Sequence, residues 1–166
     1  MATISKSSAQ VALTATCTPT RVNVSNSAAV GAALSTKTFT DANVVYSIKA
    51  TATTTSDEAT LMLATGDVTT SGSPTILGSG VDFEGEDVGT ATTLYAILVE
   101  QTVDGAMDVT GSFTSFQSMA KSGDKALWVW NDGLAITSHN LILDLDAIGV
   151  AAEVTVIGKT AGSPSS

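Results

Sequence analysis

Apolar and polar residues alternate with a period of two along most of this chain, and no other feature limits its possible folds as strongly. In "AQVALTAT" (9–16) Val11 and Leu13 fall on one side, opposite Gln10, Ala12 and Thr14. In "NVVYSIKAT" (43–51) Val44, Tyr46 and Ile48 alternate with Ser47 and Lys49. "EATLMLATG" (58–66), "NLILDLD" (140–146) and "EVTVIG" (153–158) repeat the pattern. Successive side chains of a strand point to opposite faces, so each stretch reads as a half-buried antiparallel strand. "TTLYAILVE" (92–100) and "KALWVW" (125–130) are apolar on both faces and predict central strands. "TGDVTTSGS", "TVDGAM" and "WNDGLA" predict hairpins, because Asp-Gly and Asn-Asp-Gly supply the positive φ of tight turns. Helical signals are confined to "AAVGAAL" (28–34) and "SFTSFQSMAKS" (112–122), neither longer than three turns. The expected fold is all-β: an antiparallel β-sandwich of jelly-roll or Greek-key type with little helix.

A chain of 166 residues fits one domain that buries about 70% of its unfolded surface, enough to stand without disulfide or metal. We assign that domain to residues 1–160, with 1–40 as an extended arm or edge strands and "AGSPSS" (161–166) as a linker-like tail. Aromatic residues are only 5% of the chain, so Val, Leu, Ile and Ala must build the core. The single cysteine, Cys17, excludes an intrachain disulfide and a cysteine-rich zinc site, and its alternating context makes it a small filler. "MATISKSSAQ" lacks the apolar stretch of an export signal, and the longest apolar run falls far short of the ~20 residues that span a bilayer. A soluble protein is expected, with no membrane partner.

The net charge of −9 is unevenly spread. Residues 51–120 hold ten of the sixteen acids and none of the seven bases, whereas 1–40 hold Lys6, Arg21 and Lys37 and no acid. No basic stripe with interleaved aromatics exists, which sets nucleic-acid binding aside.

Catalytic chemistry finds no candidate. His139 is the only histidine, so a multi-histidine metal centre is excluded. It lies in "ITSHNLIL", read as a solvent-exposed turn, and no G-x-S-x-G nucleophile elbow occurs. "GSPTILGSG" (72–80) lacks the Lys-Ser/Thr of a phosphate loop. No cofactor is expected, and the chain reads as no enzyme. "VDFEGEDVG" (81–89) gathers Asp82, Glu84, Glu86 and Asp87, the sequence's candidate Ca²⁺ ligands. Gly85 comes too early for a Ca²⁺ loop. A turn that plugs the core with Phe83 and holds its acids in water accounts for every residue. Trp128 and Trp130 share one face of "WVW", which fits either a carbohydrate-stacking platform or packing in the core.

The succession "GVDFEGEDVG…TTLYAILVE…DGAMDVTGSF", then "ALWVWNDGLAI…NLILDLDAIGVAAEVTVIG", resembles the β-sandwich cement or decoration proteins of tailed-bacteriophage heads over roughly residues 40–159. The resemblance lies in the order of strands and turns. It implies a non-enzymatic virion protein on the capsid exterior that clamps neighbouring subunits. Its implied partners are the major capsid protein and copies of itself, commonly as a homotrimer. The arm would be built from Lys6, Val11, Leu13, Arg21, Val22, Val24 and Lys37. A tail-tube or fibre-base subunit, or a carbohydrate-binding module, remains open as an alternative. If the acidic turn is solvated, replacing Glu84 and Glu86 with Gln leaves the melting temperature nearly unchanged. Ca²⁺ then gives none of the mass-action stabilisation of a bound ligand in thermal melts.

Overall fold

The computed structural model describes residues 11–15, 35–39, 42, 44–78, 89–136 and 138–160. Twelve strands cover most of them: β1 (Val11–Ala15), β2 (Ser35–Phe39), β3 (Val44–Thr51), β4 (Asp57–Met62), β5 (Val68–Ser71) and β6 (Thr75–Leu77). The remainder are β7 (Ala91–Val103), β8 (Met107–Gly111), β9 (Thr114–Met119), β10 (Lys125–Ala135), β11 (Asn140–Leu145) and β12 (Ala151–Thr160). Two five-stranded antiparallel sheets result, ordered β10-β7-β12-β3-β6 and β5-β4-β11-β8-β9. We call them the β12 sheet and the β11 sheet after their middle or near-middle strands. Among the described residues β1 and β2 pair only with each other, as a separate two-stranded ribbon.

The pairings are nested. β8 pairs with β9, β7 with β10, β4 with β11, and β3 with β12, as if one long hairpin had been closed and then rolled up. Rolling brings β12 beside β7 and β11 beside β8. That is the jelly-roll topology. β5 and β6 are an excursion between β4 and β7, adding one short strand to an edge of each sheet.

The alternation read from the sequence decides which faces meet. β3 buries Val44, Tyr46, Ile48 and Ala50, and β4 buries Asp57, Ala59 and Leu61. β11 and β12 add Leu141, Leu143, Leu145, Val154 and Val156. Apart from Asp57, these residues form a single cluster between the sheets, together with Leu94, Ile97, Val99, Met107 and Val109. Each fully buried large aliphatic side chain contributes about 1.5–3 kcal/mol. Tyr46 also donates its hydroxyl to the Leu63 carbonyl at 2.9 Å, which satisfies the one polar atom it brings inside.

Several expectations are corrected. "KALWVW" forms β10, an edge strand and not a central one. "WNDG" is a wide bulge inside β10, because the β7 register jumps from Val129↔Ala96 to Leu134↔Leu94. Gly133 occupies the bulge at φ 79°, where a side chain would strike Thr93 and Tyr95. "TVDGAM" joins β7 to β8 across the two sheets and makes no hairpin. "TGDVTTSGS" does form one, β4 to β5, with Gly66 at φ 73°. Residues 112–122 supply strand β9 where a short helix was an option. His139 is half-buried, not solvent-exposed. Residues 28–34 and 161–166, Cys17 and Phe83 lie outside the described residues.

Asp57, at the start of β4, shows how the crossovers are fixed. Its fully buried carboxylate accepts from the backbone N–H of Thr53 (2.6 Å), Thr54 (3.0 Å) and Ser73 (2.9 Å) and from the Thr54 hydroxyl (2.6 Å). The β3–β4 and β5–β6 connections are thereby held to one side chain. Gly72, at φ 80°, lies so close that any Cβ there would meet Asp57 Oδ1. The Thr54 hydroxyl bond and the three backbone bonds stabilise the anion against its burial, so the carboxyl sits well below the usual acid range. A depressed pKa contributes stability that is present above the unfolded value of about 4 and lost as pH falls toward the folded one. Asp57→Asn should lower the melting temperature by several degrees at neutral pH. In melts at successively lower pH, the gap to the parent protein should narrow only below the ordinary carboxylate range.

Candidate functional site

The described residues place the candidate site residues very unequally. Asp82, Glu84, Glu86 and Asp87 lie outside them, as do Lys6, Arg21, Val22 and Val24. Val11 and Leu13 fall on β1 and Lys37 on β2, with Leu13 directly opposite Lys37 and Val11 opposite Phe39. Over these positions the segment read as an extended arm or edge strands is a paired ribbon. No group of three or more His, Cys, Asp or Glu able to hold a metal occurs among the described residues.

Trp128 and Trp130 point to the inner side of β10. Phe113, from the β8–β9 turn, stands edge-on to both, with ring centroids 5.9 Å and 5.4 Å away and planes 89° and 76° apart. All three pack against the main core and are half-buried. Edge-to-face contact of this kind adds about 0.5–1.5 kcal/mol per pair beyond burial. The aromatic trio joins the β8–β9 turn to the inner side of β10. It offers no flat stacking platform.

The two outer faces differ in chemistry. On the β12 sheet, one row runs Lys125, Glu100, Glu153, Lys49 across four strands. Its ends are ion-paired: Lys125 with Glu100 at 2.8 Å and Lys49 with Glu153 at 3.3 Å. Exposed pairs like these contribute at most about 1 kcal/mol. Beside that row lie apolar residues. Ala96, Ile157, Tyr95 and Ala42 form a small buried cluster with Val45 against it. Toward the free edge of β10, Leu127 and Val129 remain 42% and 40% exposed, with half-buried Leu98 opposite Leu127.

On the β11 sheet, register sets Ser71, Glu58, Asp144, Asp108 and Ser118 in one row across all five strands. Three carboxylates thus stand side by side on β4, β11 and β8, and the sheet's strands carry no lysine or arginine. The Ser118 hydroxyl donates to Asp108 at 2.7 Å. Desolvation, followed by the charges of Asp146, Glu58 and Asp108, pushes the Asp144 carboxyl upward. Like charges directly opposite one another on a sheet destabilise it. The row went unseen in the sequence because its members are 86 positions apart at the extremes; outward placement of each was legible, but adjacency is set by register.

No family model, curated protein or solved structure matches this chain. No helix among the described residues is long and apolar enough to cross a membrane.

An acid whose folded pKa is raised binds its proton more readily in the folded state, so it costs stability as pH rises above the unfolded value. Asp144→Asn should accordingly raise the melting temperature modestly at neutral pH. The gain should fade as pH is lowered through the carboxylate range, where the parent's Asp144 takes up its proton in both states.

Proposed function

We propose that this chain is a non-enzymatic virion structural protein of the cement type, bound to the outside of an icosahedral tailed-phage head and stabilising contacts between capsid subunits. The observation that carries the reading is the β1–β2 ribbon, which among the described residues pairs with neither sheet of the jelly-roll. A sandwich with its own core does not need that ribbon for stability, and a two-stranded ribbon alone is at best marginal in water. A segment of this kind is explained by a surface beyond the domain that it engages. The jelly-roll is a fold that virion and sugar-binding proteins share, so the topology leaves the class open. The half-buried tryptophans withdraw the main support for a carbohydrate platform.

Charge supports the same reading. Residues 1–40 carry three bases and no acid, and residues 41–166 carry sixteen acids and four bases, which gives +3 against −12. The arm suits an acidic surface, whether the shell or a neighbouring copy. The Glu58–Asp144–Asp108 row suits a face turned to solvent. The implied partners are the major capsid protein and further copies of this chain, with a homotrimer as the assembly and the capsid exterior as the location.

The test is reconstitution on heads stripped of this protein. The intact chain should bind them, and a chain lacking residues 1–20, which removes β1, should stay folded and β-rich by circular dichroism yet lose binding. An intact chain that never associates with heads overturns the cement reading. A truncated chain that decorates at full occupancy overturns the role of the arm.

A further inference from the structure

We infer that the free edge of β10 and the exposed Leu127–Val129 patch beside it receive the β1–β2 ribbon of a second copy of this chain. The inference deepens the cement reading by naming the arm's partner, and it rests on four observations.

The first is the edge itself. Among the described residues β10 ends its sheet, and over Lys125–Val129 it is regularly paired to β7 on one side only. A row of free backbone groups is a template for another strand. The other edge of the same sheet is β6, only three residues long. The second is the patch. Leu127 and Val129 are large apolar residues about two-fifths exposed on the outer face of that edge, continuous through Leu98 and Ala96 with the buried cluster around Ile157. Exposed apolar surface joined to a covered cluster marks a place for a partner.

The third is the ribbon. Its strands are five residues each, the same length as the regular part of the β10 edge. Its connection from Ala15 to Ser35 is long, which adds closure entropy to a ribbon already marginal by itself. Strand addition to an existing sheet supplies the missing main-chain partners. Ala42, three residues beyond Phe39, is buried with Tyr95, Ala96 and Ile157, beside the patch on the same face. Among the described residues no strand of the same chain, the ribbon included, pairs with that edge of β10. The fourth is charge: the +3 arm complements the −12 remainder of a second copy. Ribbon on edge is a heterologous contact, and repeated around an axis it closes a ring.

Sedimentation equilibrium of the intact protein should give an oligomer that loosens as salt is raised, since the complementary charges are screened. Two variants break the contact from opposite sides. Leu127→Lys with Val129→Lys disables the edge and keeps the ribbon. Leu13→Pro removes a ladder donor from β1 and keeps the edge. Each alone should be a monomer with an unchanged far-ultraviolet spectrum, and an equimolar mixture should recover a heterodimer, because each supplies what the other lacks. A monomeric parent protein overturns the inference and leaves each edge to its own ribbon or to none. An oligomer that survives Leu13→Pro overturns it in favour of edge-to-edge pairing, and one that survives the lysine changes overturns the patch. A monomer that still decorates heads would leave the cement reading standing, whereas an oligomer that ignores heads would remove that reading and keep the exchange.

Discussion

The ladder between β7 and β12 carries the sandwich. β7 is thirteen residues long and β12 ten, and their pairing runs from Ala151↔Val103 to Thr160↔Ala91. β12 is also held along its other side by β3, from Ala151↔Thr51 to Gly158↔Val44. Both flanks of β12 are therefore hydrogen-bonded, and Val154 and Val156 are forced into the core with Ile48 and Tyr46 on one side and Val99 and Ile97 on the other. Because side-chain direction alternates residue by residue, a slip of one position would turn this whole valine and isoleucine set to water. The second sheet has no choice but to cover that face. Its own middle strand, β11, presents Leu141, Leu143 and Leu145 for the purpose.

The strands of this interior were legible in the sequence because their partners impose a simple alternation. β3, β4 and β11 each bury every second residue at the positions the pattern marks, and β12 does so from Ala152 to Val156. The pattern failed at β10 for a physical reason. Ala126, Trp128 and Trp130 face inward and Leu127 and Val129 face out, so both faces are apolar, yet only one is covered within the chain. Hydrophobicity records which residues avoid water, not which molecule supplies the cover. Turn chemistry was ambiguous in the same way. Asp-Gly in "TVDGAM" and Asn-Asp-Gly in "WNDG" do supply positive φ, at Gly105 and Gly133, but one serves a passage between sheets and the other a bulge. A tight backbone reversal looks alike in sequence whether the next strand returns to its neighbour or departs for the opposite layer.

The two outer faces divide the molecule's electrostatics. One balances its acids with Lys125 and Lys49; the other concentrates Glu58, Asp144 and Asp108 with no base on its strands. Nothing in the separate sequence segments distinguishes these faces, since each contributes ordinary outward-facing acids. Only the register makes one face a repulsive row. The instability this costs is small beside the buried core, and the face gains solubility from it.

The bulge at residues 130–133 sets a limit on growth. Beyond Val129 the register of β10 with β7 breaks and resumes at Leu134, so a strand added to this edge would find only five regularly paired residues to follow. An uninterrupted edge of eleven residues bearing Trp, Val and Leu would be a seed for endless sheet extension. Cut to five, it would be a socket of fixed size. Under the proposed exchange, addition would stop at the bulge, and finite particles would form in place of a fibre.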